Sequence, residues 1–209
     1  MDLLDIHTHH FGQNPKQAIF SCNPQEFSPQ KGHYYSVGYH PWYLTPDGNE
    51  DWSKLTKIAT HPQVLAIGEA GLDKIREVDF QLQENAFEKQ IFIALLARKP
   101  LIIHAVKSYN EVILLKKAIK PDNPWIVHGF RGKKELATQL TDHGIYLSFG
   151  EKYQEEALLS IPVDKLFLET DDSEIDIHQL YKSVASFLSL PVEKLIAQVQ
   201  QNITNVFFK

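Results

Sequence analysis

Short apolar runs of strand length recur eight times along this chain, and most are followed by a segment of helical period. That alternation demands parallel strands joined by crossovers, because parallel neighbours cannot be linked by a tight hairpin. The strand runs are Leu3–His9, Ala18–Ser21, Tyr34–Gly38, Val64–Gly68, Leu101–His104, Trp125–His128, Ile145–Phe149 and Leu166–Glu169. Helical patterns cover Trp52–Ala59, Asp79–Arg98, Glu111–Ile119 and Lys133–Asp142, with two more in the tail and Pro191 placed to open the last. Phe80, Phe87, Ile91 and Leu95 recur at helical spacing in the longest of them, behind Asp79 as N-cap. Eight strands with alternating helices predict a compact (β/α)8 TIM-type barrel in one domain, 1–209. The first two crossovers are too short for full helices, so the barrel is expected to be thinly covered, or open, on that side.

In such a barrel the working groups stand at the C-terminal ends of the strands. The polar residues here arrive where the apolar runs stop. Strand one ends in His7 and His9, strand three in His40, strand four in Glu69, strand five in His104 and strand six in His128. Strand eight runs into Glu169-Thr170-Asp171. Any single His-x-His is weak evidence, since neutral imidazoles also sit in ordinary cores; the coincidence over six strands outweighs that. Imidazoles and carboxylates are the ligands of Zn²⁺, Mn²⁺ and related ions. Four histidines and two carboxylates exceed the needs of one tetrahedral ion and suffice for two ions sharing a bridging carboxylate. Hydrolysis is the natural chemistry of such a pair. Period-two alternation puts Asp5 on the face of His7 and His9, where an outer carboxylate can fix a histidine tautomer. The same alternation puts Glu169 and Asp171 on one face, leaving both as candidates.

Composition narrows the class. A hydrophobic fraction of 43% with 22% charged residues is that of an ordinary globular protein. The lone Cys22 excludes an intramolecular disulfide and fits a reducing compartment. With no apolar run long enough for a bilayer and no signal-like opening, a cytoplasmic location and no membrane partner are expected. A formal net charge of −5 argues against a broad sequence-independent nucleic-acid surface, while leaving room for a small acidic metal site acting on phosphates.

These blocks resemble the TatD-family metal-dependent hydrolases, in the amidohydrolase-like group of barrels. The matching stretches are Asp5-Ile6-His7-Thr8-His9, Gly38-Tyr39-His40-Pro41, Gly68-Glu69-Ala70-Gly71-Leu72-Asp73, Ile102-Ile103-His104, Val127-His128-Gly129-Phe130 with Gly132, and Leu168-Glu169-Thr170-Asp171. Asn202 and Val206-Phe207-Phe208 resemble the family's tail. The blocks keep family order over nearly the whole chain. The resemblance implies two divalent ions (Zn, Mn or Mg) held by His7, His9, Glu69, His104, His128 and Asp171. In it Glu69 bridges the ions, and Asp171 both holds metal and takes the proton of the attacking water. It also implies a deoxyribonuclease, with DNA or an oligonucleotide as substrate.

Three departures bear on the substrate. Lys107 stands near the position where the family often has an arginine after the strand-five histidine, keeping charge without a planar fork; Arg131 is a candidate to replace it. The segment between His10 and Tyr34 is short for the family, so a wall of the substrate groove is expected to be missing. Lys74-Ile75 stands where aromatics are common. His40 is balanced between substrate contact and packing beside Pro41-Trp42. The aromatic loop Tyr39–Tyr43 is balanced between base stacking and closing the rim, with rim packing favoured. Two rivals stand beside the nuclease: a hydrolase of small amides, esters or phosphate esters, and a non-catalytic metal-holding scaffold. The sequence leaves native metal, cleavage polarity and oligomeric state open.

Overall fold

The structure is a computed structural model and describes residues 2–11 and 15–208. Residues 12–14, inside the shortened segment, lie outside the described residues, as do the two terminal positions. Eight parallel strands form one sheet in sequential order: β1 (Asp5–Thr8), β2 (Ala18–Cys22), β3 (Tyr34–Val37), β4 (Val64–Asp73), β5 (Leu101–Val106), β6 (Trp125–Val127), β7 (Ile145–Phe149) and β8 (Leu166–Leu168). The ring closes just past β8. A parallel bridge joins Thr8 to Asp171; Asp171 N–H donates to His7 O (3.0 Å) and His9 N–H to Asp171 O (3.1 Å). The barrel expected from the alternation is present.

Among the described residues seven α-helices accompany the strands: α1 (Trp52–Ala59), α2 (Phe80–Ala97), α3 (Tyr109–Ile119), α4 (Lys134–Asp142), α5 (Glu155–Ser160), α6 (Ile177–Phe187) and α7 (Val192–Phe207). Their ends follow from local chemistry. The Asp51, Asp79 and Asp176 carboxylates accept from the first-turn N–H groups of α1, α2 and α6. α2 stops where Arg98 enters the left-handed region at φ 53°, just ahead of Lys99-Pro100. The six-residue α5 is too short to leave a readable period, and the sequence reading missed it.

Among the described residues no helix lies between β1 and β2 or between β2 and β3. Aromatic rings cover that side instead. Phe11 stacks on His33 (4.8 Å between ring centres) and meets Phe20 edge-on; Phe27 meets both Tyr35 and His61 edge-on. Phe208, beyond the end of α7, packs on Tyr34 of β3. Asn202 ties α7 to the barrel by donating to Val163 O and Leu166 O. The tail thus reaches the side without helices at Tyr34.

Two buried glutamines on the inner face of α2 act on the strand ends. Gln90 accepts from Tyr39 N–H (2.7 Å) and donates to Tyr39 O (3.0 Å). Gln83, two turns earlier, does the same for Asp73 (2.7 and 3.1 Å) and also donates to Val78 O. Each amide pairs with both backbone groups of a residue at or just past a strand end. Among the described residues no helix is long and apolar enough to cross a membrane.

Candidate metal centre

β4 aims the central carboxylate. Its pairing with β5 slips by one residue between Ile67↔Leu101 and Ala70↔Ile103, a bulge centred on Gly68-Glu69. Gly71 sits at φ 151°, and a Cβ there would lie 2.0 Å from His104 O; one at Gly68 would lie 2.5 Å from Ile102 O. These glycines therefore let β4 press against β5. The backbone of β5 occupies the space that a side chain at either position would need.

Glu69 is the hub of the barrel mouth, and its two oxygens divide the histidines between them. Oε2 lies 3.2 Å from His7 Nε2 and 3.2 Å from His9 Nε2. Oε1 lies 2.8 Å from His128 Nε2, 3.1 Å from His104 Nδ1 and 3.1 Å from His40 Nε2. Asp171 approaches the first group, with Oδ1 3.6 Å from His7 and 3.7 Å from His9. All six residues of the expected ligand set come together, and His40 joins them.

The electrostatics are those of a cluster built for cations. Burial disfavours charge on Glu69, yet His128 and His7 hold its carboxyl well below the usual range. Burial and His128 both oppose charge on His7, but Glu69 and Asp171 raise it to about 9. Burial likewise works against charge on His128, and Glu69 with Glu169 lifts it well above the ordinary imidazole value. Burial is again outweighed at Asp171, which His7 brings down to about 2. The fully buried His7 ring has neither nitrogen in a hydrogen bond, which its 3.2 Å approach to Glu69 does not supply. A buried imidazole in that condition calls for a partner that accepts a lone pair. Among the described residues, four groupings bring donor atoms within 4.8 Å of one another: His7–His9–Glu69, His7–His128–Asp171, His40–Glu69–His104 and His9–Asp171–Asp172. The residues fit divalent cations.

A second layer orients the rings. His104 Nε2 lies 3.2 Å from Asp73 Oδ2, opposite the nitrogen that faces Glu69. Asp73 also accepts from Trp42 Nε1–H (2.6 Å) and Ile75 N–H (2.8 Å). Burial would raise Asp73, but these donors and His104 hold it below the usual carboxylate range. Glu169 does the same work for His128: Oε1 lies 3.2 Å from Nδ1 and accepts from Gly129 N–H (2.6 Å). Carboxylates in this position fix the tautomer of a metal-binding histidine. The sequence reading had placed Asp73 only inside a motif.

Two placements differ from strand alternation. Glu169 and Asp171 do not share a face, because β8 ends at Leu168 and Asp171 turns into the left-handed region at φ 55°. Glu169 ends buried behind His128 while Asp171 lines the cavity. Asp5 is turned from the cavity as well. Its carboxylate accepts from His7 N–H (3.1 Å), Thr170 N–H (3.2 Å) and Thr170 Oγ1–H (2.6 Å), clamping β1 to the β8 end; burial raises it to about 7.

The cavity above the cluster measures about 660 Å³ and is walled by Ser21–Asn23, Gln25, Glu26, Trp42 and Tyr43 as well as the site residues. Among the described residues that line it there is no lysine or arginine. Lys107 and Arg131 are exposed and stand outside the lining. Trp42 packs against Arg76, whose guanidinium lies 3.8 Å over the ring, while Tyr43 is 72% exposed on the rim.

The family model described as "TatD related DNase" matches residues 25–208. An uncharacterized metal-dependent hydrolase of Buchnera aphidicola subsp. Baizongia pistaciae is 33% identical over 145 residues, 65% of this chain and 54% of its own length. The 3'-5' ssDNA/RNA exonuclease TatD of Cronobacter turicensis is 30% identical over 156 residues, 67% of this chain and 57% of its own. The chain thus spans a little over half the length of these relatives. The crystal structure of the TatD homologue YjjV from Escherichia coli covers 100% of this chain and 98% of that one with a TM-score of 0.86 at 17% identity, a likeness of fold.

Proposed function

The chain belongs to the TatD related DNase family, and from that premise we propose a metal-dependent hydrolase that cuts phosphodiester bonds in DNA or short oligonucleotides. The observation that carries this is the division of Glu69: Oε2 faces His7 and His9, and Oε1 faces His104 and His128. A carboxylate so placed can bridge two cations. His7, His9 and Asp171 would hold one ion and His104 and His128 the other. Such ions, when bound, lower the pKa of a coordinated water from 15.7 towards about 7 and stabilise phosphoryl charge. Zinc, manganese and magnesium all suit these donors.

The protein's own groups do the rest. Asp171 stays ionised beside His7 and opens to the cavity, where its carboxylate takes the proton of the attacking water. Asp73 and Glu169 keep His104 and His128 in the tautomers that present Nδ1 and Nε2 to Glu69. The nuclease name of the Cronobacter relative supports a nucleic-acid substrate. In this reading Lys107 and Arg131, outside the cavity, bind the phosphates of a longer strand.

Asp171→Asn tests the assignment. The variant is expected to keep its metal, measured by plasma mass spectrometry, and to lose cleavage of a single-stranded oligonucleotide by at least about a hundredfold; unchanged turnover would sink it. One observation favours a second substrate, a small amide, ester or phosphate ester: the cavity lining has no basic side chain. A panel of chromogenic substrates on the metal-loaded protein decides between them.

A further inference from the structure

We propose that His40 is a phosphate-binding donor of this site, a neutral imidazole fixed in its Nε2–H form, and not a metal ligand. The inference rests on the phosphodiesterase reading and gives the site an oriented donor beside the Glu69 cluster, in a lining whose described residues include no lysine or arginine. Proximity alone leaves His40 ambiguous, since its Nε2 is as near Glu69 Oε1 as His104 Nδ1 is, both at 3.1 Å.

The other ring nitrogen removes the ambiguity. His40 caps the 3₁₀ turn Pro41–Tyr43, and Trp42 N–H donates to its Nδ1 at 3.1 Å. An Nδ1 that accepts has no proton of its own, so the ring's single proton sits on Nε2. A nitrogen carrying a proton has no lone pair for a cation. His104 and His128 are arranged the opposite way, each with a carboxylate on the nitrogen that faces away from Glu69. In the neutral ring each far nitrogen donates to its carboxylate, and the lone pair is left towards the centre. His40 has a backbone donor in that place and therefore presents N–H towards the centre.

The position suits a bound oxyanion. His40 lines the cavity with 15% of its side chain exposed, and its ring lies 4.4 Å from that of His104. Gln90 clamps the backbone of Tyr39 immediately before it, so the ring is held from the chain behind as well as by Trp42 ahead. With the oxygens of Glu69 turned to cations, which His7, His9, His104, His128 and Asp171 would hold with it, the Nε2–H would be free to donate to a non-bridging phosphoryl oxygen. No lysine or arginine among the described residues of the lining competes for that task.

Two amide variants separate the possible roles of the ring. His40→Asn places an amide oxygen near the Nδ1 position, keeping the cap on Trp42 N–H but offering nothing at the depth of Nε2. His40→Gln reaches the Nε2 depth with an NH₂ donor. On the manganese-loaded protein, after thermal midpoints are compared, metal content and orthophosphate affinity are measured by plasma mass spectrometry and calorimetry. Cleavage of a single-stranded oligonucleotide is followed in parallel. The donor role predicts unchanged metal content in both variants, with phosphate affinity and kcat/KM reduced about tenfold in His40→Asn and within about threefold of wild type in His40→Gln. Loss of a metal equivalent in both variants makes His40 a ligand and overturns the proposal. The reverse order, Asn retained and Gln impaired, makes it a cap only and overturns it too. Wild-type protein that binds metal but neither binds phosphate nor cleaves the oligonucleotide overturns the phosphodiesterase reading. Wild-type protein that does both, with His40→Asn unchanged, overturns the role of His40 alone.

Discussion

Asp73 stands directly behind His104: its Oδ2 lies 3.2 Å from Nε2, while Nδ1 of the same ring lies 3.1 Å from Glu69 Oε1. The pairing couples the far end of β4 to the middle of its own bulge through a ring on β5. Removing the outer carboxylate frees the tautomer and the ring angle together. Asp73→Ala is expected to weaken metal binding about 10- to 100-fold, measured by competition with a chromophoric chelator. Asp73→Asn, which still accepts from Trp42, should lose less; equal affinity in all three proteins would leave Asp73 with a packing role only.

Metal affinity should rise with pH. His7 is raised to about 9, and His128 lies well above its ordinary value, so at neutral pH both rings must give up protons to become ligands. Affinity should therefore still be climbing between pH 7 and pH 9. Calorimetry in buffers of different ionisation enthalpy should show net proton release at pH 7. An affinity that is flat over that interval, with no proton release, would contradict the coupling.

Gln90 offers a stability test remote from the ligands. Gln90→Leu keeps the volume but leaves Tyr39 N–H and Tyr39 O without their partner in a buried place. Each orphaned group costs about 1–3 kcal/mol, so the variant should lose about 3 kcal/mol in urea unfolding. A loss below about 1 kcal/mol would show that other partners replace the amide.

Lys107 and Arg131 should act on the strand and not on the chemistry. Both are exposed and outside the cavity lining. Replacing them with alanine is expected to raise KM for a long oligonucleotide and to reduce its salt dependence, each removed phosphate contact lowering the slope by roughly one. The kcat and the hydrolysis of a small chromogenic diester should hold; a fall in kcat for both would place them at the reacting phosphate.

Cys22 lines the same cavity, yet burial pushes its thiol up to about 12. Since the thiolate is the reactive form, alkylation by iodoacetamide at pH 8 should be far slower than that of free cysteine. Labelling at the free-thiol rate would show that the wall formed by β2 opens readily.

The barrel was legible because most of its strands are apolar runs, nearly all buried, and several helical runs carry their own cap or stop. Asp79 before α2 and Lys99-Pro100 after it mark that helix without any tertiary contact. The positions of His7, His9, Glu69, His104, His128 and Asp171 were legible for a related reason: a barrel strand delivers whatever follows its apolar run to one shared rim. Which atom faces which partner was not. The bulge at Gly68-Glu69 arises from pairing with β5, the left-handed turn at Asp171 comes with closure onto β1, and the burial of Glu169 behind His128 appears only once β6 and β8 are both in place. The proton on His40 depends on a backbone N–H two residues on, meeting the ring across the first turn of a 3₁₀ helix too short to leave a period. Sequence alone determined the strand ends and their chemistry, since those depend on neighbours along the chain. Tertiary structure decided which atoms face one another and how far each group is exposed, since hydrogen bonds and desolvation depend on neighbours in space.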